Sequence, residues 1–277
     1  MSPLAGIRLV ALDLDGTLLP ATKKLTERAR RVVPELRAAG IHVILATGKG
    51  WSLTEGYARE LAIDAPCIAL EGALVSRPGA DTPLRRLTLG PGQRADVHSA
   101  LDGLSVGYFF THDGSRIFAN RRMAGRIPEM SIWDPDVVLT DACLSDPSLG
   151  DAHVLHLIGE PHEIDEAHAR VAAVDLPGVD LFRIDFWDGL KQLQVRPLGI
   201  GKHRGLATVL EALDVPVTAL LACGDWWNDV EMIAMAAVGV APSNAVEGVR
   251  QAADHVLPGS CEDDAVIRFL ENALHAL

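Results

Sequence analysis

Asp13-Leu14-Asp15-Gly16-Thr17 stands directly after the apolar run Ile7-Arg8-Leu9-Val10-Ala11-Leu12. Two carboxylates one residue apart at the end of a buried strand are costly to desolvate without a cation or other partners. Oxygen donors of this kind suit a hard ion such as Mg2+. The same pair could instead supply a nucleophilic carboxylate beside a carboxylic acid that shuttles protons. Gly16 and Thr17 then turn the chain and offer N–H groups and a hydroxyl to an anion. Three further stations follow. Thr47-Gly48 presents a hydroxyl and an N–H ahead of a helix, a seat for an anion. Lys202 brings a cation at another helix start, and Gly224-Asp225-Trp226-Trp227-Asn228-Asp229 adds two carboxylates and an amide. A metal with several carboxylates, a lysine and a Thr/Gly anion cradle is what phosphoryl transfer requires. Charge on the phosphoryl oxygens must be neutralised while nucleophile and leaving group stay in line.

The elements that must position these residues alternate between strand and helix at both ends of the chain. The segment 26–39 puts Ala29, Val32, Val33, Leu36 and Ala39 on one helical face, with Gly40 as its stop and Pro34 as a predicted kink. A strand over 41–46 ends in Thr47-Gly48, a helix covers 52–61, and Cys67-Ile68-Ala69-Leu70 is a further apolar run ending at Glu71-Gly72. This βαβαβ pattern predicts a parallel, helix-covered sheet whose loops gather at the strands' carboxyl ends. After Pro197 the pattern resumes. It gives a helix opening at Gly201-Lys202, a strand over 217–223, a helix from Asn228, a strand over 238–241, a helix over 246–252, the run 255–257 and a last helix over 263–274.

Between about Pro83 and Arg196 the texture changes. Runs 106–110 and 116–119 around Asp113-Gly114 read as a β-hairpin. Strands are expected over 153–158, 179–186 and 190–195, with a helix over 163–174. The fold class is therefore α/β: a parallel-sheet domain over 1–82 and 197–277, with an α+β module over 83–196 inserted into it.

Composition bounds the function. Lys and Arg number 25 against 37 Asp and Glu, a net charge of −12 that disfavours nucleic acid and anionic membranes as partners. An acidic protein that handles phosphate needs local positive charge, from a metal or a few placed lysines. Cys67, Cys143, Cys223 and Cys261 are scattered without a CxxC pair, as expected of free thiols in a reducing cytoplasm. No signal-peptide pattern is visible, and no segment approaches 18 uncharged apolar residues. The oligomeric state is not written in the residues; a monomer is compatible with them.

Together the four stations resemble the motifs of the haloacid dehalogenase superfamily, in its Cof-type, sugar-phosphatase-like branch with a large class IIB (C2-type) cap. Asp13 to Leu19 is similar to the first motif, Ala46-Thr47-Gly48-Lys49 to the second, Gly201-Lys202 to the third and Gly224 to Asp229 to the fourth. Asn244-Ala245 and Ala252-Ala253-Asp254 also resemble that branch. The resemblance implies a Rossmann-like core with a cap that closes to exclude water, and a Mg2+-dependent phosphatase of small phosphorylated metabolites, sugar phosphates foremost. Asp13 would form an aspartyl-phosphate, and Asp15 would protonate the leaving alcohol and then deprotonate water. Mg2+ would be held by Asp13, the Asp15 carbonyl and Asp225. Thr47, Gly48, Lys202 and the Leu14 N–H would hold phosphoryl oxygens. Asn228 would contact phosphate or a metal-bound water, and Asp229 would orient Lys202 or the metal shell. A phosphosugar mutase, or a catalytically silent phosphate-binding regulatory module, are the alternatives.

Two residues depart from the family pattern: Lys49 replaces the usual Arg, and Glu71-Gly72 stands where Asn-Gly is usual. Glu71 is either a solvated loop carboxylate or a charge facing the site mouth. Several features have simpler readings. His153 and His156, three apart on a strand, face opposite ways and make no metal pair. Trp226 and Trp227 are expected to pack around their loop. Trp187, Asp188 and Lys191 near the returning hinge are candidates for substrate contact.

Overall fold

The structure, a computed structural model, describes residues 2–112, 116–185 and 187–277. It divides into two compact units: 1–48, 54–85 and 201–277 form the first, and 49–53 with 86–200 the second.

The first unit is built on a five-stranded sheet in the order His255–Val256, Val238–Ala241, Leu220–Cys223, Leu9–Leu12, His42–Leu45, every neighbouring pair parallel. Leu9–Leu12 runs between two neighbours and is buried throughout, which is why it reads as an unbroken apolar run rather than an alternating one. The helix Glu27–Ala38 starts at Thr26, whose Oγ1 accepts from Ala29 N at 3.2 Å, and buries Ala29, Val32, Val33 and Leu36. It continues through Pro34 as one helix. Helices Lys202–Leu213 and Ala265–His275 likewise bury one apolar stripe each.

Two elements differ from expectation. Residues 217–219 form a 3-10 turn, and the strand begins only at Leu220. Cys67–Ala69 does not extend the parallel sheet as a full strand. It touches it through one parallel bridge, Ala46 to Ile68, and pairs antiparallel with Leu74–Ser76. The chain reverses there because Leu70, Glu71 and Gly72 all adopt positive φ (50°, 58° and 90°). Gly72 has no alternative at that point, since a Cβ would stand 2.3 Å from the Gly201 carbonyl oxygen.

The second unit carries a six-stranded sheet ordered Val179–Asp185, Lys191–Pro197, Ala152–Gly159, Gly107–His112, Arg116–Ala119, Val137–Leu139; only the last pair is parallel. One face packs Phe110, Leu155, Leu157 and Leu193 with Val97 and Ile164 from the helices Pro91–Ala100 and Pro161–Ala172. The other gathers Phe109, Ile117 and Ile158 with Met123 and Met130. The helix Pro91–Ala100 and the strand Val137–Leu139 carry no clear periodicity and were not expected. Asp113-Gly114, Phe186 and the side chain of Trp187 lie outside the described residues. His153 and His156 do face opposite ways: His153 Nδ1 meets the Leu87 carbonyl at 2.8 Å, whereas His156 stacks on Phe109 at 4.3 Å. Burial lowers the His156 pKa to about 3, so it is a neutral core residue. Asp188 is ion-paired to Arg126 at 3.3 Å.

Lys49–Leu53 belongs to the second unit rather than to the helix start of the first. Lys49 Nζ donates to the Ile132 carbonyl at 2.8 Å, Gly50 N to the Trp133 carbonyl at 2.7 Å, and Ser52 Oγ to Asp134 Oδ2 at 3.0 Å.

No helix among the described residues is long and apolar enough to cross a membrane. All four cysteines are free; burial pushes Cys67 up to about 12 and Cys223 higher still, so neither is a thiolate nucleophile.

Candidate active site

Register builds the site. Leu12 pairs with both Cys223 and Leu45, so the residues that follow these three strands emerge side by side at one sheet edge. The ladder continues for one step beyond the strands: Asp13 N donates to the Cys223 carbonyl at 3.0 Å and Ala46 N to the Leu12 carbonyl at 2.8 Å. Asp13 and Asp225 are thereby neighbours although far apart in the chain, and Thr47 follows the adjacent strand at the same edge.

Carboxylate oxygens of Asp13, Asp225 and Asp229 lie within 4.8 Å of one another, and all three residues are buried. Lys202, 2 % exposed, reaches them from the first turn of its helix, with Nζ 2.7 Å from Asp13 Oδ1 and 2.7 Å from Asp229 Oδ1. Asp229 Oδ2 accepts from the N–H groups of Asp225 and Trp226, both at 3.0 Å. Both Asp229 oxygens are thus engaged; it fixes the loop and the lysine together and is the least free of the three to take a metal ion. Gly224 lets it approach, since a Cβ there would stand 2.5 Å from that of Asp229.

Electrostatics follow from burial. Desolvation, reinforced by Asp229 and Asp225 and only partly offset by Lys202, holds the Asp13 carboxyl well above its usual range. Asp225 is raised to about 6, by burial first and Asp229 second, against the hydrogen bond from Thr17. Burial pulls the Lys202 ammonium down, but Asp13, Asp229 and Glu71 outweigh it and hold it above its ordinary value. One ammonium does not balance three buried carboxylates. An oxygen-only donor set with surplus negative charge fits a hard divalent cation, and Asp13 and Asp225, which hold Lys202 and Thr17, are less fully engaged than Asp229.

Other expected site residues are placed differently. Asp15 points its carboxylate to Lys23, 2.7 Å away, and both are partly exposed. Thr47 is buried, and its carbonyl accepts from Glu71 N at 3.1 Å. Leu14 is buried, with its carbonyl accepting from the N–H groups of Leu18 and Leu19 at 3.1 and 2.7 Å, so it anchors the turn after Asp13. Asn228, expected to reach phosphate or a metal-bound water, instead donates its amide to Glu71 Oε1 and Oε2, both at 2.8 Å. Trp226 and Trp227 are each more than half exposed, and the Trp227 ring lies over Gly248.

Two further side chains support Asp225: Thr17, whose hydroxyl the sequence offered to an anion, and Asn244, to which it gave no role. Thr17 Oγ1 donates to Asp225 Oδ1 at 3.1 Å. Asn244 Nδ2 donates to the Gly16 carbonyl at 2.8 Å and approaches Asp225 Oδ2 at 3.4 Å, while its Oδ1 accepts from Cys261 N at 3.0 Å. The Thr in the first motif and the Asn244-Ala245 pair were the available signals, but only folding shows what they touch.

A family model described as haloacid dehalogenase-like hydrolase matches residues 10–270. The chain belongs to that family and is an enzyme of its Cof-type phosphatase branch. Among similar proteins, the stress response protein YhaX of Bacillus subtilis is 26% identical over 274 residues, 95% of this chain and 92% of that protein. The 5-amino-6-(5-phospho-D-ribitylamino)uracil phosphatase YitU of the same organism is 27% identical over 279 residues, 95% of this chain and 96% of that one. A crystal structure of a haloacid dehalogenase-like hydrolase from Bacteroides thetaiotaomicron shares the fold, with a TM-score of 0.82 at 22% identity over 96% of this chain and 99% of that one.

Proposed function

We propose that this protein hydrolyses small phosphorylated metabolites, sugar phosphates foremost, with Mg2+ and through an aspartyl-phosphate on Asp13. The observation that carries the reading is the meeting of Asp13, Asp225, Asp229 and Lys202 in one buried cluster. The Thr47-Gly48 turn follows the neighbouring strand at the same edge. The phosphatase YitU, a relative along nearly its whole length, acts on a phosphorylated small molecule by its name. Free cysteines fit a reducing cytoplasm as the working compartment.

In this reading an Asp13 oxygen attacks phosphorus while the ester P–O bond breaks, and Asp15, turned from Lys23 and protonated, gives its proton to the departing alkoxide. Water then attacks the aspartyl-phosphate, Asp15 takes the water's proton, and phosphate leaves with Asp13 restored. Lys202, the Thr47 hydroxyl and the N–H groups of Leu14 and Gly48 hold the phosphoryl oxygens, and Asp229 keeps Lys202 aimed at Asp13. Mg2+ held by Asp13, Asp225 and the Asp15 carbonyl would supply further charge neutralisation on those oxygens. The test is phosphate release from a panel of phosphoesters with Mg2+, for wild type and Asp13→Asn. Turnover is expected to vanish in the variant with its far-UV circular dichroism intact. Phosphate release that survives the substitution would refute the covalent role.

A further inference from the structure

Glu71 is not a solvated loop carboxylate. Its backbone is held in the left-handed region (φ 58°, ψ 23°), with its N–H bound to the Thr47 carbonyl at 3.1 Å. Both carboxylate oxygens accept from Asn228 Nδ2 at 2.8 Å. A Cβ built on Gly48 would lie 2.2 Å from Glu71 Oε1, so the carboxylate occupies the space directly against that glycine. Lys202 counts Glu71 among its anionic neighbours, after Asp13 and Asp229. A negative charge therefore stands among Gly48, Lys202 and Asn228, three of the groups that the proposed mechanism or the family pattern assigns to phosphate.

The amide of Asn228 sharpens this. Its Nδ2 faces Glu71, an orientation that the carboxylate dictates, because the flipped amide would set oxygen against oxygen. Asn228 Oδ1 is buried with no partner among the described residues. This side of the site thus pairs a carboxylate with a buried, unpartnered amide oxygen.

We propose that Glu71 is a specificity-determining residue: it disfavours phosphoesters with a second anionic group beside the ester and favours leaving groups that bring hydroxyl or ammonium donors. The inference rests on the phosphatase reading above. A carboxylate on the leaving group about 6 Å from Glu71, at an effective dielectric of about 20 to 40, is disfavoured by roughly tenfold to a hundredfold. An ammonium there is favoured in the same proportion.

The test uses Glu71→Gln, which removes the charge and keeps a carbonyl for Asn228, with Glu71→Asp as the charge-retaining control. Inhibition constants are measured against hydrolysis of p-nitrophenyl phosphate for phosphoglycolate (anionic), glycerol 3-phosphate (neutral) and phosphoethanolamine (cationic). Glu71→Gln is expected to improve phosphoglycolate relative to glycerol 3-phosphate at least about tenfold and to weaken phosphoethanolamine relative to it, while Glu71→Asp retains the wild-type order. A uniform shift of all three constants would mean that Glu71 merely competes with phosphate, and would overturn the proposal, as would unmoved ratios. Absence of p-nitrophenyl phosphate turnover by the wild type would instead count against the phosphatase reading itself.

Discussion

Lys202→Met keeps a long unbranched side chain and removes an ammonium that is 2 % exposed and bonded at 2.7 Å to both Asp13 and Asp229. Removing one partner from a buried ion cluster strands the other charges, at a cost of about 3–5 kcal/mol. The sign with pH is set by the groups involved. The folded-state pKa of Lys202 lies above its unfolded value, so the lysine's contribution is fully present below about 10.5 and covers the whole range from pH 5 to 8. The Asp13 and Asp225 carboxyls are raised, so folding favours their protonated forms, and their cost to the fold grows as pH climbs through those raised values. The variant should therefore be most destabilised at pH 8 and partly recover toward pH 5, where stranded carboxylates can take up protons. Thermal unfolding with EDTA present is the assay. At about 2–4 °C per kcal/mol, the melting point should fall by about 6–20 °C at pH 8. Phosphate release at a permissive temperature should fall by about 10²–10³, the usual loss when a donor to the reacting oxygens is removed. A pH-independent loss below about 1 kcal/mol would show that the ammonium does not hold the acidic cluster together.

Two further substitutions probe the support around Asp225. Gly16→Ala places a Cβ 2.1 Å from Asp225 Oδ2 on a backbone with φ of +80°; about 1–2 kcal/mol of stability and about a hundredfold of activity should be lost, and full phosphate release would refute the close approach. Asn244→Ala removes the donor to the Gly16 carbonyl and its approach to Asp225, so the Mg2+ concentration for half-maximal activity should rise about 10–100-fold. An unchanged Mg2+ requirement would place Asn244 outside the cation's surroundings.

Much of the parallel-sheet unit was legible because its determinants are local. Leu9–Leu12 and His42–Leu45 read as buried runs, the Glu27–Ala38 helix shows its apolar stripe, and every polar station but Lys202, which opens a helix, stands just past its strand. The second unit was less legible. Its helix Pro91–Ala100 buries few side chains, Arg94 among them, and Val137–Leu139 is a short edge strand, so neither leaves a clean period. The segment Cys67–Ala69 misled for a different reason: a buried apolar run looks the same whether it extends a parallel sheet or turns back as a hairpin.

By itself the sequence determined the kind of chemistry, because carboxylate, hydroxyl and glycine types at strand ends, and a lysine at a helix start, are readable one station at a time. It also determined the α/β class, because hydrophobic periodicity is a property of neighbours in the chain. Which groups meet was decided only by tertiary structure. Strand register brings Asp13 beside Asp225, and the reversal at Leu70–Gly72 carries Glu71 to the Asn228 amide, across 157 positions of chain. Such pairings depend on distances through space, and no local pattern of residue types encodes them.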